Sequence, residues 1–138
     1  MSVRFFAEGI DFKLSHPRKT SSWIKAVAKK EKKTLVLINY VFCSDSYLLQ
    51  MNLNYLNHDT LTDILTFDYS DKSKLEGEIY ISIERVRENS TVFNRPFDEE
   101  LHRVIIHGLL HLMGYKDKSS AEKAQMRKKE EACLSLRN

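Results

Sequence analysis

The sequence predicts an α+β fold, a small mixed β-sheet packed against several helices, in one domain over residues 1–138. Three observations carry this. Two strand-then-helix units open the chain, a pair of β-type runs separated by a polar connection follows, and the rest is helical in pattern. Residues 3–8 form a short β-prone run. Residues 20–32 carry Trp23, Ile24, Val27 and Ala28 at helical spacing behind a Ser/Thr-rich start. Residues 35–42 are rich in β-branched and aromatic side chains and read as a strand. Residues 45–56 return to a leucine-rich helical pattern after a Ser44, Asp45 cap. The runs 64–69 and 78–83 are predicted to pair as an antiparallel hairpin, with 70–77 as the turn. Helices are predicted over 84–93, 98–113 and 120–136. Gly114 stops the second of these, and Ser119 with Glu122 forms a capping box that opens the third.

Composition narrows the class of protein. With 42% hydrophobic and 30% charged residues, 4 Gly and 2 Pro, the chain is neither a disordered polymer nor a collagen-like repeat. The longest apolar stretches, 35–42 and 104–113, fall short of the roughly 20 residues that a membrane span needs. Arg4, Glu8 and Asp11 interrupt the segment where a signal peptide requires an unbroken apolar centre, so a cytoplasmic location is expected. Cys43 and Cys133 lack metal-ligand or redox-motif spacing and are expected to be free thiols. The formal net charge of +3 hides a segregation: residues 1–58 carry +5, 59–100 carry −6 and 101–138 carry +4. Two basic clusters result, one from Arg18 to Lys33 and one from Lys116 to Lys129. Each is either a phosphate-attracting patch or an ordinary solvated helix face.

The segment that carries chemistry is 107–117. His107 and His111 lie four residues apart on a predicted helix, so their rings stand one turn apart on one face and can converge on one cation. A catalytic tetrahedral site takes a third protein ligand and leaves one position for water. Gly114 lets the chain leave the helix and turn Asp117 back towards the imidazoles, which makes Asp117 the third candidate ligand. An Asx-type turn is the competing use of Asp117. Around the two histidines, Val104, Ile105, Ile106, Leu109, Leu110, Leu112 and Met113 make a largely apolar helix. Two unpaired imidazoles buried there would cost on the order of 1 kcal/mol or more each. Gly108 occupies the position where a zincin carries its Glu base, so a base must come from elsewhere or be the metal hydroxide.

These residues resemble the YbeY family of bacterial metal-dependent endoribonucleases, whose signature runs His, Gly, any, Leu, His, Leu, any, Gly, Tyr, Asp, His. The chain matches it from His107 through Tyr115. A second block, Thr62, Asp63, Ile64, Leu65, Thr66 and Phe67 followed by Gly77, Glu78 and Ile79, is also similar. The resemblance implies cleavage of single-stranded ribosomal RNA, notably in maturation of the 16S rRNA 3′ end and in ribosome quality control, with the ribosomal subunit or its proteins as partners and no membrane. It implies zinc at the histidine block. Two departures follow. Lys116 and Asp117 stand where the family has Asp and His, so the third ligand becomes a carboxylate. A divalent site then carries about +1 instead of about +2, which leaves another divalent transition metal open beside Zn2+. Leu56 stands where the family usually carries an Arg. His58, two residues on, aligns with another position that is often basic in the family and is the candidate substrate contact; a surface loop histidine is the competing reading.

Asp63 is a candidate to orient water or a ligand histidine, or to cap a turn. Arg103, one turn before His107, is a candidate cation for the phosphodiester transition state. Two rival readings stay open: a metal-dependent hydrolase of a peptide or small molecule, including a two-histidine, one-carboxylate iron enzyme, and a non-catalytic RNA- or ribosome-binding module with a structural metal.

Overall fold

The structure is a computed structural model and describes residues 2–56 and 63–137. The elements run β1 (Ser2–Glu8), α1 (Pro17–Lys30), β2 (Thr34–Cys43), α2 (Asp45–Leu56), β3 (Ile64–Asp68), β4 (Lys74–Ser82), α3 (Ile83–Val92), α4 (Phe97–Leu112) and α5 (Ser120–Arg137). The four strands form one mixed sheet in the order β1-β2-β4-β3. β1 and β4 lie parallel to β2, and β3 runs antiparallel to β4. This is the α+β fold expected.

One prediction needs correction. β4 begins at Lys74, so the hairpin turn is shorter than 70–77 and Gly77 sits inside the strand. The reason is steric. A Cβ on Gly77 would lie 2.6 Å from the Phe67 carbonyl oxygen and 3.2 Å from Leu112, so only glycine lets α4 and β3 approach this closely. Leu75, Ile79 and Ile81 share that inner face and are buried.

On β2, Leu35 and Ile38 both point into the core despite their odd spacing, because the register shifts between Leu35 and Leu37. Such a bulge restores the alternation for Ile38, Tyr40 and Phe42. Against this face pack α1 through Trp23, Ile24 and Val27, and α4 through Leu101, Ile105, Leu109 and Leu112. Each buried Leu or Ile contributes about 1.5–3 kcal/mol relative to exposure. The opposite face of the sheet is covered at one end by α2, where Leu48 meets Cys43 and Leu65.

Two long-range bonds fix the helices that matter. The buried Tyr40 hydroxyl donates to the Ile105 carbonyl at 3.0 Å, tying the sheet to α4, and Trp23 Nε1 donates to the Cys133 carbonyl at 2.8 Å, tying α1 to α5. Both cysteines are free and buried. Among the described residues no helix is long and apolar enough to cross a membrane.

Candidate metal centre

α4 is held on the sheet by close contact at Gly108. A Cβ there would lie 2.9 Å from Ile64 Cδ1 and from Ile79 Cγ2. The position that bears a catalytic Glu in zincins therefore faces the sheet and has no room for a side chain. With Gly108 turned inward, His107 and His111 stand on a more open face, 21% and 27% exposed, with their ring centroids 4.6 Å apart.

The helix then ends in a Schellman motif. Gly114, at φ 100°, donates to the His111 carbonyl at 3.0 Å, and Tyr115 donates to the Leu110 carbonyl at 3.1 Å. This reversal returns the chain across the end of α4 and brings Asp117 back to the histidines. The Asp117 Oδ2 atom lies 3.3 Å from His107 Nε2 and 3.4 Å from His111 Nε2, and the two Nε2 atoms are 3.0 Å apart. A tetrahedral centre with bonds of about 2.0–2.1 Å has donor atoms about 3.3 Å apart. The three side chains thus lie at the spacing of three corners of such a site, and they form a cluster able to hold a divalent metal ion.

The loop that carries Asp117 is anchored from outside. Tyr115 donates its hydroxyl to Glu31 Oε1 at 2.5 Å, and Lys129 reaches the same carboxylate at 3.2 Å. The Tyr115 hydrogen bond comes first among the causes that hold the Glu31 carboxyl below its ordinary value. One residue at the end of α1 and one on α5 therefore fix the loop from two sides. The capping box that starts α5 fixes its far end: Glu122 N–H donates to Ser119 Oγ at 3.1 Å, and Ser119 N–H donates to Glu122 Oε1 at 2.9 Å.

Behind the cluster lies a residue the sequence reading missed. Glu130, on α5 and 7% exposed, places Oε2 2.5 Å from His107 Nδ1 and Oε1 3.2 Å from Arg103 Nη1. An ionised carboxylate only accepts, so in a neutral His107 the Nδ1 atom carries the proton and Nε2 offers its lone pair to the cluster. Burial pulls the His107 pKa down. The hydrogen bond and charge of Glu130, with Asp117 and Asp63 assisting, outweigh it and leave the pKa raised. A signal for Glu130 was present, since Met126, Glu130 and Cys133 fall on one helical stripe and all three are buried. A charged residue on a buried stripe needs a partner.

Arg103 is drawn into the same network. Its guanidinium, 11% exposed, donates to Glu130 Oε1 at 3.2 Å and to Glu131 Oε1 at 2.5 Å. Asp63 lies between α2 and β3, and its carbonyl accepts from Ser82 N–H at 3.0 Å. Burial pushes its carboxyl up against the opposing charge of His107. Arg95 pairs with Glu100 at 3.3 Å. His58 and Thr62 lie outside the described residues.

The comparisons with known proteins agree along nearly the full chain. The family model described as Endoribonuclease YbeY matches residues 8–137. Endoribonuclease YbeY of Cytophaga hutchinsonii is 51% identical over 137 residues, 99% of this chain and 96% of that protein. Its counterpart from Flavobacterium psychrophilum is 54% identical over 127 residues, 92% of this chain and 91% of that protein. The solution structure of TM1509 from Thermotoga maritima superposes with a TM-score of 0.71 at 28% identity, covering 99% of this chain and 89% of that one. With a family model spanning almost every residue and relatives at about half identity end to end, the chain belongs to the Endoribonuclease YbeY family.

Proposed function

We propose that this chain is a metal-dependent endoribonuclease of single-stranded RNA, that it acts in maturation of ribosomal RNA, notably at the 16S rRNA 3′ end, and in ribosome quality control, and that residues 1–138 work as one domain in the cytoplasm with the ribosomal subunit or its proteins as partners. The observation that carries the reading is the spacing of the His107, His111 and Asp117 donor atoms, 3.0 to 3.4 Å apart, in a chain of this family. Zinc is the metal proposed, since two imidazoles and a carboxylate at tetrahedral spacing suit it. The carboxylate lowers the positive charge of the site and admits other divalent transition metals. A divalent metal supplies Lewis acidity at a phosphoryl oxygen and water activated near neutral pH.

The protein's own groups do the rest. His107, His111 and Asp117 would hold a divalent metal ion. Glu130 keeps His107 in the tautomer that presents Nε2, and Arg103 holds Glu130 in place from behind. Asp63, whose carboxyl feels the charge of His107, would orient a water or a ligand histidine. His58 contacts the RNA. Gly108, packed on Ile64 and Ile79, leaves no place for the Glu base of a zincin-type peptidase, which favours RNA over a peptide substrate.

The test is metal content and ribonuclease activity of the full-length protein against His111→Ala. We expect the wild type to bind about one divalent ion and to cut unstructured RNA in a chelator-sensitive way, and the variant to lose both. Equal metal content in the two proteins, or cleavage that survives chelation, overturns the reading.

A further inference from the structure

The cations near the metal centre divide into two kinds. Arg103 is committed to Glu130 and Glu131, Lys129 to Glu31, and Arg95 to Glu100. Lys123 and Arg127 are different. They stand one turn apart on α5, exposed, and have no side-chain partner among the described residues. Both line a cavity of about 270 Å3 whose other walls are His107, Asp117, Met126 and Glu130. The buried Met126 lies between them in sequence on the same wall. The Glu130 carboxylate in this cavity is already bonded on both oxygens, by His107 and by Arg103. Two unspent positive charges therefore share a concave surface with two of the three candidate metal ligands.

From this we infer that Lys123 and Arg127 form a phosphate subsite, which holds an RNA backbone phosphate next to the one cleaved. The inference rests on the endoribonuclease reading and deepens it. A helix turn of four residues advances about 6 Å, so the two side chains can grip one phosphate together or bridge to the next. Arg127 offers a bidentate fork and Lys123 a mobile point charge, a combination suited to a backbone of varying geometry. The subsite also resolves the ambiguity between the two basic clusters. Arg18 and Lys25 of the first cluster line a separate cavity with Val3 and Phe5, and that cavity contains none of the metal-centre residues. Lys33 of the first cluster lines another cavity with Met113, Gly114 and Tyr115, whereas Lys123 and Arg127 share theirs with the candidate ligands His107 and Asp117 themselves.

The experiment compares the full-length, metal-loaded wild type with Lys123→Gln/Arg127→Gln and with Arg18→Gln/Lys25→Gln, which removes the same net charge elsewhere. Binding is read by fluorescence anisotropy on a labelled single-stranded DNA of about twelve nucleotides, and kinetics on the RNA of the same sequence. The α5 pair is expected to weaken binding about tenfold and to make the slope of log K against log salt shallower by about 1.4, two phosphates at about 0.7 each. KM on RNA should rise by a similar factor while kcat stays within about twofold, since uniform binding alone is lost. The α1 pair should change binding less than about twofold.

Unchanged affinity and slope in the α5 variant overturn the subsite, as does an equal loss in the α1 variant, which would mean that net charge alone is felt. Wild-type protein that binds the strand in the expected pattern yet cleaves no RNA overturns the endoribonuclease reading and leaves Lys123 and Arg127 as a backbone-phosphate contact without a cleavage role. Cleavage of RNA with an unaltered α5 variant does the reverse.

Discussion

Glutamine at position 130 tests the part of the candidate metal centre that the proposed ligands themselves do not reveal. Glu130 receives two donors, His107 Nδ1–H at 2.5 Å and Arg103 Nη1–H at 3.2 Å. A glutamine of the same shape has one oxygen and one NH2 group. Whichever way it turns, one of the two donors meets another donor, and the negative charge that strengthens the His107 ligand is gone. Loss of such a partner behind a metal-ligating histidine lowers metal affinity about 10- to 100-fold, or about 1.4–2.7 kcal/mol. Arg103 keeps its bond to Glu131, so the metal-free protein should lose less than the 3–5 kcal/mol typical of a broken buried pair, on the order of 1–2 kcal/mol. The assay is competition of full-length wild type and Glu130→Gln against a chromophoric chelator, with a denaturant melt of each metal-free protein alongside. An affinity within twofold of wild type would refute the argument that α5 orients His107. Arg103→Gln provides the ordering test. If Arg103 acts through Glu130, metal affinity drops by a smaller factor, about threefold. If instead kcat collapses with metal affinity unchanged, its guanidinium contacts the transition state and the positioning role is wrong.

Three further outcomes are expected. Tyr115→Phe removes the hydroxyl that donates to Glu31 and loosens the loop two residues before Asp117, so metal affinity should fall about fivefold, from a loss of about 1 kcal/mol; chelator competition reads it, and an unchanged value would show that Gly114 and the α5 cap suffice to place the loop. Gly77→Ala forces a Cβ to within 2.6 Å of the Phe67 carbonyl and should cost about 2 kcal/mol, or about 8 °C in Tm by calorimetry; a Tm within about 2 °C of wild type would mean that α4 and β3 can yield. Burial first, then the Arg137 charge, lowers the His102 pKa from 6.5 to about 4. The unfolded chain binds that proton first as pH falls, so the stability His102 contributes is present above about pH 6.5 and drains away down to about pH 4. After discounting for solvent, the loss is on the order of 1–2 kcal/mol. His102→Gln should flatten that part of the pH–stability curve, and a slope identical to wild type would count against the assignment.

The helical half of the candidate metal centre could be read from the chain because local chemistry dictates it. Four-residue spacing sets His107 beside His111 whatever else the protein does, and Gly114 ends the helix by a backbone conformation that other residues rarely adopt. The Ser119 and Glu122 box likewise needs only its own turn. What escaped the sequence depended on neighbours remote in the chain. The segment before Gly77 has turn composition, yet Leu75, Ile79 and Ile81 keep strand alternation, and Gly77 fills the inward position only because Leu112 covers it. The tight seat of Gly108 depends on Ile64 and Ile79 in the same way, so what the sequence showed was only the absence of a Glu.

The C-terminal helix makes the same argument in electrostatic terms. Its sequence, dense in Lys and Arg, reads as a solvated basic face, and most of its residues are indeed exposed. Yet the few side chains that do not face solvent complete the site. Glu130 turns in to orient His107, Lys129 joins Tyr115 on Glu31, and Met126 forms part of the wall between Lys123 and Arg127. A metal ligand set supplied by one helix and its loop would be free to spread by the few tenths of an ångström that separate a tight site from a loose one. Glu130 and Glu131 of α5, bonded to His107 and Arg103 of α4, remove that freedom, and the phosphate subsite proposed for Lys123 and Arg127 stands on the same helix. The charge segregation noted in the sequence is thus not a property of the surface alone: the buried carboxylate of Glu130 and the exposed cations Lys123 and Arg127 line one cavity with His107 and Asp117, from the same face of α5.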